Sequence, residues 1–256
     1  MRWRKISSLM YRDSLVIRRI KYRSLEIVYF PITTVIIWGL FAVYARQMAA
    51  EAGLIVLIIN IFWAFAHLAQ TNSNILMMED IWSGSLKQVL LTGITEFEYI
   101  IARMMTASVT STFMVIVLVS LSLLFGINFF HTDVIFLILI TLIGSLALSV
   151  VVASRIFYMG REYGFLTWSA IQLFIMFSAP FFPKEMFPKA LLYLSYVMPF
   201  TAVFEAARGF STTGTVPHAL LIWGAAVVAG YFVVSWPLYY LSFRRAKKNG
   251  MLARMY

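Results

Sequence analysis

Apolar residues along this chain fall into long runs instead of short alternating blocks, and the runs cover 27–45, 52–69, 104–127, 134–154, 164–182 and 219–243. A bilayer hydrocarbon core of ~30 Å is crossed by roughly 20 helical residues. Each run reaches or approaches that length, so the pattern predicts six membrane-spanning helices, the second and fifth being the shortest and the most polar. Ahead of them, Trp3, Ile6, Leu9, Met10, Val16, Ile17 and Ile20 recur at three- and four-residue steps, with Lys5, Ser8, Arg12 and Arg19 opposite. This predicts an amphipathic helix over 1–25 that lies in the headgroup plane with its cations against anionic lipid. Asp13 interrupts the stripe, so burial there is expected to be imperfect.

The connections differ in length. Those at 46–51, 128–133 and 155–163 are short turns. The segment 77–103 is longer than an antiparallel helix pair requires. Within it Ile81, Leu86, Val89, Leu90 and Ile94 supply one apolar face, Gly84 and Gly93 punctuate it, and Thr95 caps the next helix with Glu96 and Glu98 in its first turn. Two readings of this short helix are open: docking into a soluble partner, or lying on the membrane surface. The segment 183–217 is longer still, yet apolar. Proline 199 divides it into two pieces too short to span, which predicts a re-entrant helical hairpin packed against protein or lining a cavity. Glu205 and Arg208 are three residues apart on one face and are placed to pair.

Composition supports a lipid-facing exterior: 12% of residues are charged, against about 25% in soluble domains. The net charge of +10 follows the connections. Seventeen lysines and arginines fall in the N-terminal segment, the 2–3 and 4–5 connections and the tail at 244–256, whereas Arg46, Lys184, Lys189 and Arg208 fall on the other side. This asymmetry predicts both termini in the cytoplasm of a multi-pass protein of the cytoplasmic (inner) cell membrane. Val43-Tyr44-Ala45 looks like a signal-peptide cleavage site, but the preceding polar region and the apolar run are both too long for one, so 27–45 reads as an uncleaved span. There is no cysteine, which excludes disulfides, thiolate metal sites and cysteine nucleophiles.

Polar residues at membrane depth need partners or water. Asn60, Ala64, His67, Thr71 and Asn74 share one face of the second span, with Trp63 and Gln70 beside it, and Trp168, Ser169 and Gln172 form a weaker set on the fifth. They line a pathway or a dimer seam, or they bond helix to helix. Thr106, Ser108, Thr110, Ser111 and Thr112 read as close helix packing. Trp3, Trp38, Trp82, Trp223 and Trp236 read as interface anchors. His67, His131 and His218 are scattered and have no carboxylate at ligand spacing, so no metal site is expected.

In the inside connection, Glu79, Asp80, Gly84, Ser85, Leu86, Leu90 and Leu91, with Gly93 where proline is usual, resemble the first inside loop of permease subunits of type-2 ATP-binding-cassette exporters, the family of O-antigen, teichoic-acid and drug-resistance exporters. The outer connection resembles that family's hairpin through Phe182-Pro183, Pro188, Leu194, Pro199-Phe200-Thr201, Glu205-Ala206 and Arg208. The resemblance implies an all-α integral membrane fold of six transmembrane helices, with an N-terminal interfacial helix, a cytoplasmic coupling helix and an extracytoplasmic re-entrant hairpin between spans 5 and 6, all in one transmembrane domain. It implies a coupling helix at 79–95 seated in a separate nucleotide-binding ATPase subunit. It also implies a second permease chain, alike or different, that completes a translocation pathway near spans 1, 2 and 5. The outer hairpin, with Pro183, Pro188, Pro199, Phe200, Thr201, Glu205 and Arg208, would be a gate.

No Gly-x-x-x-x-Gly-Lys-[Ser/Thr] phosphate loop occurs, so no catalytic residue and no cofactor are expected on this chain; ATP and Mg would be held by the partner subunit. The cargo would be amphiphilic or lipid-linked: polysaccharide, glycolipid, drug or peptide. Two other classes compete. A membrane-embedded lipid-modifying enzyme would concentrate acidic or histidine residues at one interface, and here the acidic residues are dispersed. An ion-coupled secondary transporter would show repeated halves and mid-span carboxylates, and neither is evident. The absence of native cysteine makes topology directly measurable: a membrane-impermeant maleimide is expected to label Lys189→Cys in intact cells, and Lys248→Cys only after permeabilisation.

Overall fold

The computed structural model describes residues 2–19, 21–45, 50–125 and 131–250. Among these the chain is all-helical, with ten α-helices and no strand: α1 Trp3–Arg19, α2 Lys21–Ala45, α3 Ala50–Trp82, α4 Ser85–Leu91, α5 Glu96–Ser122, α6 Thr132–Met159, α7 Leu166–Met176, α8 Lys189–Val197, α9 Thr201–Thr213 and α10 His218–Lys248. Four stretches are long and apolar enough to cross a bilayer, Gly53–Trp82, Glu96–Phe125, Thr132–Met159 and His218–Lys248; counting the bent pair α8–α9 as one crossing gives five. These helices fit a membrane-spanning protein.

Three elements depart from the sequence pattern. The second run continues without a break through Trp82, so α3 has 33 residues and rises about 50 Å, well beyond a hydrocarbon core of ~30 Å. The polar residues after position 69 stay helical because they find partners in neighbouring helices. The fifth run is α-helical only over the 11 residues of α7. A 3-10 turn, Arg161–Phe165, precedes it and a non-helical segment follows, so 164–182 is not one spanning helix. The cationic residues Arg244, Arg245, Lys247 and Lys248 belong to α10 instead of a separate tail. The short turns predicted at 46–51 and 128–133 lie largely outside the described residues.

Helix ends gather at two levels. The C-terminal ends of α3, α6 and α10 and the N-terminal end of α5 meet beside α1 and α4 at one end of the bundle, here called the basic end. One apolar core lies there, built from Ile6, Leu9, Ile81, Leu86, Ile156 and Phe243 among others. A second core lies towards the hairpin formed by α8 and α9 and includes Ile59, Phe62, Ile175, Phe204 and Val228. α10 packs most extensively on α6. Small residues permit the close approach there: a Cβ on Gly144 of α6 would stand 3.1 Å from Val228 Cγ2, and one on Gly224 of α10 would stand 3.5 Å from Ile140 Cγ2.

The N-terminal helix does not lie free on a surface. Its apolar stripe is used by the protein itself, with Ile6 and Leu9 buried in the basic-end core. The interruption at Asp13 is the point of closest attachment, and Asp13 is 1% exposed. Its carboxylate accepts from the Arg103 guanidinium of α5 and, at 3.2 Å, from the Thr106 hydroxyl. Arg103 also donates to Asp80 at the end of α3, and Arg12 reaches Asp80 at 2.7 Å and Asp13 at 3.3 Å. The Tyr99 and Ser85 hydroxyls each donate to Asp80 at 2.9 Å, and the Arg103 guanidinium stands 4.8 Å from the Tyr99 ring centroid. Two carboxylates and two guanidiniums thus neutralise one another where α1, α3, α4 and α5 converge.

Removing one member of a buried pair leaves an uncompensated charge, at a cost of about 3–5 kcal/mol. Arg103→Met is therefore expected to lower the thermal unfolding midpoint of the purified protein markedly, followed by tryptophan fluorescence. An unchanged midpoint would show that Asp13 and Asp80 do not depend on Arg103.

Candidate functional site

α3 has two polar faces with different employment. Towards α6 and α7 it bonds to other helices. The Gln70 amide donates to the Thr167 carbonyl at 3.2 Å, the Asn74 amide donates to the Ser149 carbonyl at 2.9 Å, and the Ser149 hydroxyl donates to Ser73 at 3.2 Å. The other face is open. It forms one wall of a groove of about 770 Å³ whose remaining walls come from α2, α7 and the segment after α7.

Seven of the ten residues named for a pathway or seam line this groove, Asn60, Trp63, Ala64, His67 and Thr71 on α3 and Trp168 and Gln172 on α7, whereas Gln70 and Ser169 do not. Nor does Asn74. It is fully buried on the side facing α6, where its amide donates to the Ser149 carbonyl. Towards the end of α3 the groove is lined by Ile75, Glu79 and Trp82. From Asn60 to Trp82 it extends about 33 Å along the helix, the thickness of a hydrocarbon core. Trp38 and Trp82, expected as interface anchors, stand in the groove wall. At one end Trp38 and Trp63 gather around Phe181, with ring centroids 6.4 and 5.6 Å away. At the other, Trp82 and Trp168 stack at 6.1 Å. Their spacing on the α3 stripe was readable in Trp63 and Trp82, whereas Phe181 comes from the turn that ends α7 and carried no periodic signal.

The residues predicted for the inside loop fall into two groups. Asp80 is consumed by the charge cluster, and Leu86 is 2% exposed in the basic-end core together with Ile81 and Val89. The apolar face of the loop helix therefore points into its own protein, not outward as the docking reading supposed. Leu90 and Ser85 are half-buried, and Glu79 faces the groove. What α4 presents outward is Lys87, Gln88 and Leu91, the last 77% exposed. Gly84 and Gly93 take left-handed conformations, with φ of 70° and 74°. Proline is locked near −65° and cannot occupy such a turn, so glycine at 93 is required by this geometry. Lys5 Nζ donates to the carbonyls of Thr92 at 3.1 Å and Gly93 at 2.6 Å. Thr95 and Glu98 form a reciprocal capping box at the start of α5, and the Arg2 backbone N–H donates to Glu98 at 2.6 Å.

At the far end, Pro183 and Pro188 precede helical turns, and Pro199 and Phe200 lie buried at the corner where α8 and α9 meet at 93°. The corner is fixed by the Thr201 hydroxyl donating to the Ser195 carbonyl at 2.6 Å. Glu205 and Arg208 pair at 2.7 Å, as their spacing predicts, and Arg208 also donates to the carbonyls of Ala179 and Pro180 at 2.8 and 2.7 Å. The corner thereby satisfies backbone groups that the end of α7 leaves open. Lys184 lies between Glu185 and Glu205, near the rings of Tyr196 and Trp223. Burial works against its ammonium form, but the two carboxylates outweigh it and hold its pKa above the ordinary value. Thr110, expected to serve packing, accepts from the Asn72 amide at 3.3 Å.

Among the described residues no group of three His, Asp or Glu side chains is placed to hold a metal ion. The chain matches no family model and no curated protein.

The two faces of α3 are separable by reagent access. His67→Cys and Ile75→Cys are expected to react with a water-soluble methanethiosulfonate, and Ser73→Cys, fully buried against α6, is expected not to. Equal reactivity at all three positions would mean that the groove is no more open to water than the packed face.

Proposed function

We propose that this chain is the membrane-spanning permease subunit of an ATP-driven exporter of the type-2 class, pairing with a second permease chain and with a separate ATPase subunit that binds ATP and Mg. The observation that carries this reading is one helix with two duties. α3 lines a groove as long as a membrane is thick, and through Gly84 it leads directly into α4, a short helix that presents Leu91, Lys87 and Gln88 to the surrounding medium.

A groove open along one side suits a pathway completed by a second copy or a second permease. Its mixture of tryptophan, amide and hydroxyl groups suits an amphiphilic cargo, polar in part and apolar in part. The basic end of the bundle, with the excess of lysine and arginine, then faces the cytoplasm, and α4 lies where an ATPase can reach it. The α8–α9 corner lies on the outer side as a gate, and the short apolar segments around α2 and α7 complete a six-crossing topology. No step of bond chemistry is assigned to this chain; the work is done by movement.

Leu91, unlike Leu86, can be changed without disturbing the core. Purified from native membranes, the wild-type protein is expected to bring down an ATPase whose activity depends on the permease. Leu91→Asp is expected to reduce that dependent activity about tenfold while leaving the unfolding midpoint unchanged. Co-purification of no ATPase, or full activity in Leu91→Asp, would sink the assignment.

A further inference from the structure

Inside the protein, guanidiniums meet carboxylates: Arg103 pairs with Asp13 and Asp80, and Arg208 with Glu205. The two arginines near the end of α10 are held differently. Arg245 donates to the Tyr158 hydroxyl of α6 at 2.8 Å, and its guanidinium stands 4.3 Å from that ring centroid. Arg244 donates to the Tyr240 hydroxyl at 3.0 Å and stands 5.1 Å from its ring centroid. A ring face orients a guanidinium without cancelling its charge. Arg245 and Lys248 are exposed, and among the described residues neither pairs with a carboxylate. Arg155, three residues before Tyr158 on the same face of α6, is exposed and likewise unpaired among the described residues. The Tyr158 oxygen accepts from Arg245, which leaves its O–H to donate to a further oxygen.

We propose that the ends of α6 and α10 form a binding site for one anionic phospholipid, its phosphate on Arg245, Lys248 and the Tyr158 hydroxyl, with Arg155 adding its charge. What lies beneath the cations favours a lipid over a free ion. Val234, Leu238, Leu241, Arg245 and Lys248 follow one another at steps of four, three, four and three residues, so they share one face of α10. The first three are exposed apolar side chains. From Val234 to Arg245 this face extends about 16 Å, the depth of one leaflet of a ~30 Å hydrocarbon core. Acyl chains laid along it reach the bilayer midplane while the headgroup rests on the guanidinium. The charge pattern then chooses among headgroups. A zwitterionic phospholipid brings an ammonium for which the cluster holds no carboxylate; Glu162, the nearest acid along the chain, lies beyond α6 in the turn Arg161–Phe165. Phosphatidylglycerol or cardiolipin brings negative charge alone. Such a lipid ties α6 to α10 at their ends. The proposal requires only that the chain spans a membrane, and it stands apart from any ATPase.

The full-length protein in mild detergent is titrated with dioleoylphosphatidylglycerol, dioleoylphosphatidylcholine or glycerol 3-phosphate, and adducts are followed by native mass spectrometry. Phosphatidylglycerol is expected to add first as a single adduct, about tenfold tighter than phosphatidylcholine, and to resist displacement by glycerol 3-phosphate. Arg245→Gln with Lys248→Gln is expected to weaken that adduct about thirtyfold. Tyr158→Phe, which keeps every charge and the ring, is expected to weaken it about fivefold. Arg4→Gln with Arg18→Gln removes the same charge from exposed positions on α1 and is expected to leave the affinity nearly unchanged. Equal losses from the α1 and α10 pairs, or full affinity in Tyr158→Phe, would show attraction to a diffuse positive surface and overturn the proposal. Equal binding of the two phospholipids overturns it as well, and displacement by glycerol 3-phosphate would assign the cations to a soluble phosphate instead. If the double α10 variant does not fold, Tyr158→Phe decides alone.

Discussion

Three charges withdrawn from water at one end of the bundle, joined by a fourth at its edge, set the terms for everything around them. Asp13, Asp80 and Arg103 are buried, come from three different helices and compensate one another, and the half-exposed Arg12 supplies the second positive charge. Apolar packing alone would let α1 slide or detach, because a greasy stripe fits a lipid surface as well as a protein one. The ion pairs remove that freedom. They specify which turn of α1 meets which turn of α5, and they fix where α3 ends and α4 begins. The capping box at Thr95 and the lysine on the α4 carbonyls follow from the register so chosen.

From that fixed end, α3 rises through the bundle with a division of labour between its sides. Amides and hydroxyls facing α6 and α7 have protein partners and act as fasteners. Those on the groove side border open space among tryptophans, although Thr71 also donates to the Thr167 carbonyl and Asn72 to Thr110. The same residue types serve both purposes, and only their angular position separates them. At the other end of the bundle lies the α8–α9 corner, where Arg208 gathers the carbonyls left over at the end of α7 and Pro199 seats against Gly144 of α6.

Much of this was legible in the residues. Long apolar runs, the cap at Thr95, the Glu205–Arg208 pair, the break at Pro199 and most of the groove face follow from periodicity and spacing. What was not legible has identifiable causes. Which part of α3 packs on α6 is set by tertiary contacts that spacing does not reveal, so Asn74 was placed in the groove and Ile75, Glu79 and Trp82 were passed over. The fifth run was read as one helix because hydropathy does not register the turn after Met176, where Arg208 reaches back 29 and 28 residues to the carbonyls of Ala179 and Pro180. Asp13 looked like a flaw in an amphipathic stripe, and Arg103 like a topology signal, because a charge shows its partner only when the chain is folded. Leu86 and Val89 looked available for docking for the same reason: an apolar face says that it will be buried, not by whom.

The order of these charges along the chain has a consequence for how the protein is made. Polypeptides emerge N-terminus first, so Asp13 and Asp80 exist before Arg103 leaves the ribosome. An arginine near the start of a membrane helix is costly to place in lipid on its own, but here each counter-ion is already waiting on a helix synthesised earlier. The fifth helix can enter with its guanidinium received on arrival, and the nascent chain never has to hold that cation alone.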